Sequence, residues 1–456
     1  KGLLTSACAT ALCADLQSDM SNIAESIFLL RVARYGPELS RRAAMAVILA
    51  AMVLLTGCGA PPPLREPLIH SYGVKDPQFV RTMNRLLGPP MIQGNRVDTL
   101  VNGKEIFPAM LSAIRSASKT ITLETFIYWS GDIGAQFTEA LSERARAGVK
   151  VHVIIDGIGA SEIDQAYIAQ MRESGAEVLI YRPIDFFTLD KVNYRTHRKI
   201  LVVDGRIGFT GGVGIADEWL GDADTRSRWR DNHYRVEGPV VASLQAAFID
   251  NWIEARGQVL DGPDYFPQLE DVGPLYGQVF ISSPESGSAS MQLMYLLSIN
   301  AAEHSVYLAT PYFVPDDSTL ATLVAARQRG VAVRIIVPGE LTDSDIARGA
   351  SRAVWGKLLE AGVEIYEYQP SLYHTKLMVV DGLWTSVGST NVSNRSFRLN
   401  DEANLNLYDA EFAIAQEALL KKDIGDSKRV TLEEWNSRPF IDRVTDFFGA
   451  LFSPQL

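Results

Sequence analysis

The chain has 456 residues, 47% of them hydrophobic, which is enough to bury a large core and more than one domain and excludes global disorder. Lys and Arg total 43 against 54 Asp and Glu, a formal charge of -11, and so acidic a chain lacks the electrostatic footprint that drives binding to a nucleic-acid backbone. The three cysteines, Cys8, Cys13 and Cys58, precede the body of the chain, which therefore has neither a disulfide framework nor a Cys-x-x-Cys metal site.

Arg41 and Arg42 precede an uncharged apolar run from Ala43 to Gly57. The run falls short of the roughly 20 residues that span a bilayer, and it has the basic-then-apolar order of a secretory signal. Leu55-Thr56-Gly57-Cys58 resembles a bacterial lipoprotein signal, which makes Cys58 the candidate lipid anchor. An uncleaved membrane anchor and a buried core helix are the alternatives. Residues 1–57 are read as this leader or anchor, and 58–74, with the stretch GAPPPLREP, as a Pro-rich linker.

Two stretches with the same order of elements follow. In the first, at 75–258, SAIRSASKTITLETFIYW reads as a helix and a β-branched run, and GAQFTEALSERARAGVKVHVIIDG as a helix, a Gly stop and a strand over Val149–Ile155. In the second, at 259–420, YLLSINAAEHSVYLATPYFV and STLATLVAARQRGVAVRIIVPG repeat that order, with a strand over Val331–Val337. Helices stopped by Gly and followed by apolar strands predict an α/β fold of duplicated lobes, two mixed sheets covered by helices, with a central cleft. The C-terminal segment 421–456 places Ile441, Val444, Phe447, Phe448, Leu451 and Phe452 at roughly helical spacing, suited either to docking on the body or to the membrane interface.

The two halves share one pattern. His197-x-Lys199 leads after four residues to Asp204 and on to Gly211-Gly212; His374-x-Lys376 leads after four to Asp381 and on to Gly388-Ser389, with Asn391 just beyond. Each triplet opens an apolar run that reads as a buried strand, and strand alternation puts each His and Lys on one face. Two lysines as fixed charges and two imidazoles able to change protonation have phosphate as their common ligand. The other histidines carry less: His152 in VHVII and His304 at a strand start read as structural, His70 lies near the linker, and His233 is two residues past Asp231. Glu124, on a core strand, needs a partner and is read as supporting the catalytic region. Ser344 and Asp345 suit a loop cap or the cleft rim. Phe186, Phe187, Trp219 and Trp229 are read singly as packing and as a group as a lipid path.

The paired pattern resembles the signature H-x-K-x4-D-x6-G-[SG] of the phospholipase D superfamily. The flanks GVKVHVIIDGIG, TGGVGIADEW, WRDNHYRVEGP and STNVSNRSFRLNDEANL resemble its bacterial cardiolipin synthase branch. The resemblance covers most of the chain after about residue 75 and implies a phosphohistidine intermediate with no cofactor and no metal. By family precedent His197 is the nucleophile and His374 the general acid and then base, with Lys199, Lys376 and Asn391 on the phosphate oxygens. An acidic residue beyond each motif is implied to hold an imidazole tautomer, Glu402 in the second half and Asp231 in the first. Asp204, Asp381, Gly211, Gly388 and Ser389 are read as supporting the motif, the aspartates through the strand-to-turn backbone. Gly214 departs from the family pattern, standing where an Asn is common, which removes one amide donor.

The reading that results is a phosphatidyltransferase of the cardiolipin synthase kind, moving a phosphatidyl group to phosphatidylglycerol at the envelope membrane of a bacterium. Phosphatidylethanolamine is a further lipid substrate, no obligate protein partner is expected, and nucleic acid is not an expected ligand. Hydrolysis to phosphatidic acid is the main alternative, followed by a phosphodiesterase or nuclease and by an inactive lipid-binding lipoprotein.

Overall fold

The computed structural model describes residues 72–183, 193–283 and 290–456. The leader, Cys58, His70, most of the linker, Phe186 and Phe187 lie outside the described residues. The first half begins with α1 (Pro77–Leu86), whose start is fixed by the Asp76 carboxylate accepting from Gln78 N at 2.7 Å. It continues through β1 (Ile92–Val101), α2 (Asn102–Ser116), β2 (Thr120–Thr125), α3 (Asp132–Arg146), β3 (Lys150–Asp156), α4 (Gln165–Glu173) and β4 (Glu177–Tyr181). There follow β5 (Arg195–Thr196), β6 (Ile200–Val203), β7 (Ile207–Gly211), β8 (Trp229–Arg230), β9 (Asn232–Glu237) and α5 (Val241–Arg256).

The second half runs β10 (Leu275–Ser282), α6 (Ser290–Asn300), β11 (Ser305–Ala309), α7 (Asp317–Gln328), β12 (Ala332–Pro338), α8 (Asp345–Glu360) and β13 (Glu364–Tyr368). Next come β14 (Leu372–Tyr373), β15 (Leu377–Val380), β16 (Trp384–Gly388), α9 (Asn394–Arg398), β17 (Asn400–Tyr408) and α10 (Ala410–Gly425). The chain closes with β18 (Ser427–Val430), α11 (Leu432–Asn436) and α12 (Phe440–Leu451).

Each half holds three parallel strands, β2–β3–β4 and β11–β12–β13, flanked by an antiparallel set, β6–β7–β9 and β15–β16–β17. The two mixed sheets are hydrogen-bonded into one open 16-stranded sheet, because β1 pairs with β9 on one side and with β10 on the other, and β10 pairs with β17; β5 lies off the main path, against β17. β18, from the segment set apart by sequence, extends the outer edge against β13.

Helices on both faces explain why the inner strands are apolar runs rather than alternating ones: every residue of β6 and β15 is buried. Between the halves, Phe248 and Trp252 of α5 and Phe412 and Leu420 of α10 share one core cluster with Val202, Val236, Val379 and Leu405. This shared core makes the described residues one compact unit. Two short parallel ladders also cross between the halves, pairing Arg195–Thr196 with Asn400–Asp401 and Leu372–Tyr373 with Trp229–Arg230.

Candidate active site

Each crossing ladder ends where the chemistry begins. Beyond β5 and β17, His197 N donates to Asp401 O at 2.9 Å, and the next residue along β17 is Glu402. Beyond β14 and β8, His374 N donates to Arg230 O at 2.8 Å, and the next residue is Asp231. A histidine from one half therefore meets a carboxylate from the other. His197 Nδ1 lies 3.0 and 3.1 Å from the two Glu402 oxygens, and His374 Nδ1 lies 2.7 Å from Asp231 Oδ2. Carboxylates accept, so each ring carries its proton on Nδ1 and leaves Nε2 unprotonated.

The carboxylates are held in turn. Glu402, fully buried, accepts from Ser389 Oγ at 2.5 Å and Ser396 Oγ at 2.6 Å. Asp231, also fully buried, accepts from the Trp219 indole N–H at 3.1 Å and from Asn232 N at 2.8 Å. Ser396 stands seven residues past Ser389, and Trp219 seven past Gly212, so the two halves place a donor at corresponding positions with different side chains. Burial works to raise both carboxyls, but the facing histidine, the lysines and these donors outweigh it and leave both below the usual carboxylate range.

The cations carry the opposite burden. Burial first, then the neighbouring ammonium, brings Lys199 down to about 7, and burial brings Lys376 down to about 8. Burial likewise depresses His197 and His374 to about 4, against the opposing pull of Glu402 and Asp231. Lys199 Nζ donates to His197 O at 2.8 Å; Lys376 Nζ donates to His374 O at 2.7 Å and lies 3.1 Å from His374 Nε2. Two desolvated ammonium groups and two neutral imidazoles at one place favour entry of an anion, which would restore the charge that burial opposes. Among the described residues no group of His, Cys, Asp and Glu is placed to hold a metal ion.

Comparison with known proteins identifies the family. A family model described as cardiolipin synthase, PLD-like domain, matches residues 110–227 and 295–424. The chain belongs to this family. It is 35% identical over 383 residues to a cardiolipin synthase of Geobacillus kaustophilus, covering 83% of this chain and 76% of that one. It is 35% identical over 397 residues to cardiolipin synthase A of Pseudomonas fluorescens, covering 86% and 82% respectively. The crystal structure of a phosphatidylserine synthase from Haemophilus influenzae has a similar fold, with TM-score 0.63 and 16% identity over 83% of this chain and 99% of that chain.

The supporting residues of this PLD-like chain do recognisable work. Asp204 accepts from Ser118, Lys119 and Thr120 N at 2.8 to 3.2 Å, and Asp381 from Glu303, His304 and Ser305 N at 2.7 to 2.8 Å. Both aspartates adopt left-handed φ, 52° and 51°, so each hairpin turn is tied to the start of the neighbouring parallel strand. Gly388 has φ 159°, and a Cβ there would come within 2.3 Å of Ala403 O; Gly211 has φ 156°, and a Cβ there would lie 2.6 Å from His233 Nδ1. Glu124 lies under the residue preceding His197: its Oε1 accepts from Thr196 Oγ1 at 2.5 Å and Asn251 Nδ2 at 2.6 Å, and burial pushes it up to about 7. Asn391 is buried, with its backbone N–H on Ser396 Oγ at 3.1 Å.

Gly214 has a steric cause. A Cβ there would lie 2.9 Å from Ile127 Cβ and 3.2 Å from the Trp219 ring, so the indole that serves Asp231 occupies the room an Asn would need. Trp219 and Trp229 wall His374, with ring centroids 5.2 and 5.4 Å from the imidazole. His152 is buried against Tyr265 and Trp252, with Nε2 2.7 Å from the Tyr265 hydroxyl. Ser344 Oγ caps α8 by accepting from Ala347 N at 3.2 Å, with Asp345 in its first turn.

Sequence reasoning missed Ser396 and the bond from Trp219, and it missed a clamp beside the second ladder. There Arg230 meets Asp423 of α10 through two bonds of 3.1 and 3.0 Å, and the Tyr373 hydroxyl donates to the same carboxylate at 3.0 Å. Arg230 adjoins Asp231 in WRDNH and was open to notice; Asp423, in a helix with no motif, gave no signal.

Proposed function

We propose that this chain, a member of a phosphatidyltransferase family, is a cardiolipin synthase that works through a phosphohistidine. The observation that carries the reading is the crossed pair of carboxylate-backed histidines with a buried lysine beside each. In the first step His197 Nε2 attacks phosphorus of the donor phosphatidylglycerol. The P–O bond to the headgroup glycerol breaks, and that oxygen takes a proton from His374 Nε2. In the second step the hydroxyl oxygen of another phosphatidylglycerol attacks, the P–N bond breaks, and His374 takes the hydroxyl proton.

Lys199 and Lys376 neutralise the non-bridging oxygens, and the Asn391 amide donates a hydrogen bond to them, as phosphorus becomes five-coordinate. The bound phosphodiester anion also raises the basicity of His374, which is how a ring held neutral in the empty site takes up the proton it must donate. Glu402 stabilises the positive charge that grows on His197 as its Nε2 bonds to phosphorus. The same reading places the enzyme at the bacterial envelope with Cys58 as lipid anchor; incorporation of labelled palmitate that vanishes in Cys58→Ser tests that placement.

The central test is mass spectrometry of lipids after incubation with phosphatidylglycerol and phosphatidylethanolamine vesicles in the presence of chelator. Cardiolipin made by the parent and absent from His197→Ala and His374→Ala supports the reading. Phosphatidic acid alone reassigns the enzyme as a hydrolase. No lipid product from the folded parent overturns both.

A further inference from the structure

Helix α12 wears its polarity in reverse. Its acidic residues turn inward: Asp442 Oδ2 lies 3.2 Å from Arg352 Nη2, and Asp446 accepts from Arg438 Nε at 2.9 Å while Arg352 Nε stands 3.5 Å away. Gly449 packs so closely on α8 that a Cβ there would fall 2.5 Å from Ala350 N. The large apolar residues turn outward, with Phe440 79%, Ile441 67%, Phe447 61%, Phe448 57% and Leu451 55% exposed. A surface helix of a soluble domain has the opposite arrangement, and a contiguous apolar patch of this kind marks an interaction surface.

The patch connects to the site. Beyond α12, Leu456 O accepts from Arg395 N at 2.6 Å, Gln455 O from Arg395 Nε at 2.9 Å and Ser453 O from Asn394 Nδ2 at 3.0 Å. These fasten the tail to α9, whose Ser396 holds Glu402 against His197. We propose that the outward face of α12 lies in the interfacial layer of a phospholipid bilayer and holds the α9 side of the active site at the lipid surface. At 12 residues the helix is about 18 Å long, too short to span and suited to lie in the plane. The bilayer is the occupant this site requires, since a phosphatidyl substrate keeps its acyl chains in the membrane while its phosphate reaches His197. Arg443, exposed on the same helix, suits anionic headgroups.

The inference rests on the lipid-transfer reading, and its test reads position rather than turnover. The full chain, with Cys8, Cys13 and Cys58 replaced by Ser, receives an environment-sensitive fluorophore at Phe448→Cys or, as reference, at the exposed Glu173→Cys. On phosphatidylglycerol–phosphatidylcholine vesicles carrying lipids spin-labelled near the headgroup, the label at 448 is expected to shift to the blue and be quenched at least twofold, with the reference unaffected. No quenching at 448, equal quenching at both positions, or shielding at 448 that depends on protein concentration without vesicles, as a second copy would give, overturns it. Quenching at 448 in a protein whose unlabelled parent, with Cys58 intact, makes no lipid product would overturn the transferase reading and leave this placement standing.

Discussion

Glu402→Gln isolates what the crossed pairing contributes. The substitution keeps the side-chain shape, and Ser389 and Ser396 can satisfy an amide by rotating one hydroxyl to accept and leaving the other to donate. What is lost is the negative charge 3.0 Å from His197 Nδ1, at a position with no solvent to replace it. Removing one partner of a buried, hydrogen-bonded ion pair costs about 3–5 kcal/mol. That pair forms fully only as phosphorus bonds to Nε2 and the ring becomes cationic, so the cost falls on the transition state, a rate loss of about 10²–10⁴-fold. Glu402 also helps keep Lys199 protonated, so the falling alkaline limb of the pH–rate profile should move to lower pH. Initial rates of cardiolipin formation across pH 5–9, with a thermal melt of each protein, provide the assay. A folded Glu402→Gln enzyme within threefold of the parent rate, with an unmoved alkaline limb, would falsify the role given to the carboxylate.

The other predictions bear on stability and on the departure from the family pattern. Gly214→Asn should destabilise by about 1–3 kcal/mol in urea unfolding, because the side chain enters space held by Ile127 and Trp219. In a double-mutant cycle with Trp219→Ser, itself a costly core truncation, Gly214→Asn should cost less than it does beside the indole; a single Gly214→Asn variant as stable as the parent would count against the steric account. Arg230→Ala strands the Asp423 carboxylate in the buried clamp and should cost about 3–5 kcal/mol, while an added Asp423→Leu should restore some of it in a double-mutant cycle. His152, depressed to about 4 from 6.5, binds its proton more weakly folded than unfolded, so the stability it supports is present above pH 6.5 and lost as pH falls toward 4. That depression corresponds to about 3 kcal/mol at most, and His152→Gln should flatten the fall of the urea midpoint in that window by a measurable part of it.

Much of the architecture was legible because it is written locally. Strands expected over Val149–Ile155 and Val331–Val337 occur one residue further on, at Lys150–Asp156 and Ala332–Pro338, since apolar runs after a Gly stop have few other uses. His-x-Lys before an apolar run likewise fixes two side chains on one side of one extended segment. Asp-Gly after it fixes a turn whose carboxylate finds backbone donors nearby. Long-range choices left no such trace. Sequence nominated Glu402 and Asp231 but could not pair them, because the partner of each histidine is set by ladders joining residues far apart in the chain, Arg195–Thr196 to Asn400–Asp401 and Trp229–Arg230 to Leu372–Tyr373. The indole donated to Asp231, the room it takes from Gly214 and the Asp423 clamp were likewise decided by packing between elements. In the sequence by itself lay the reactive groups and their phosphate-binding character; tertiary structure decided which carboxylate backs which histidine, because that depends on how two halves dock and on no spacing within either.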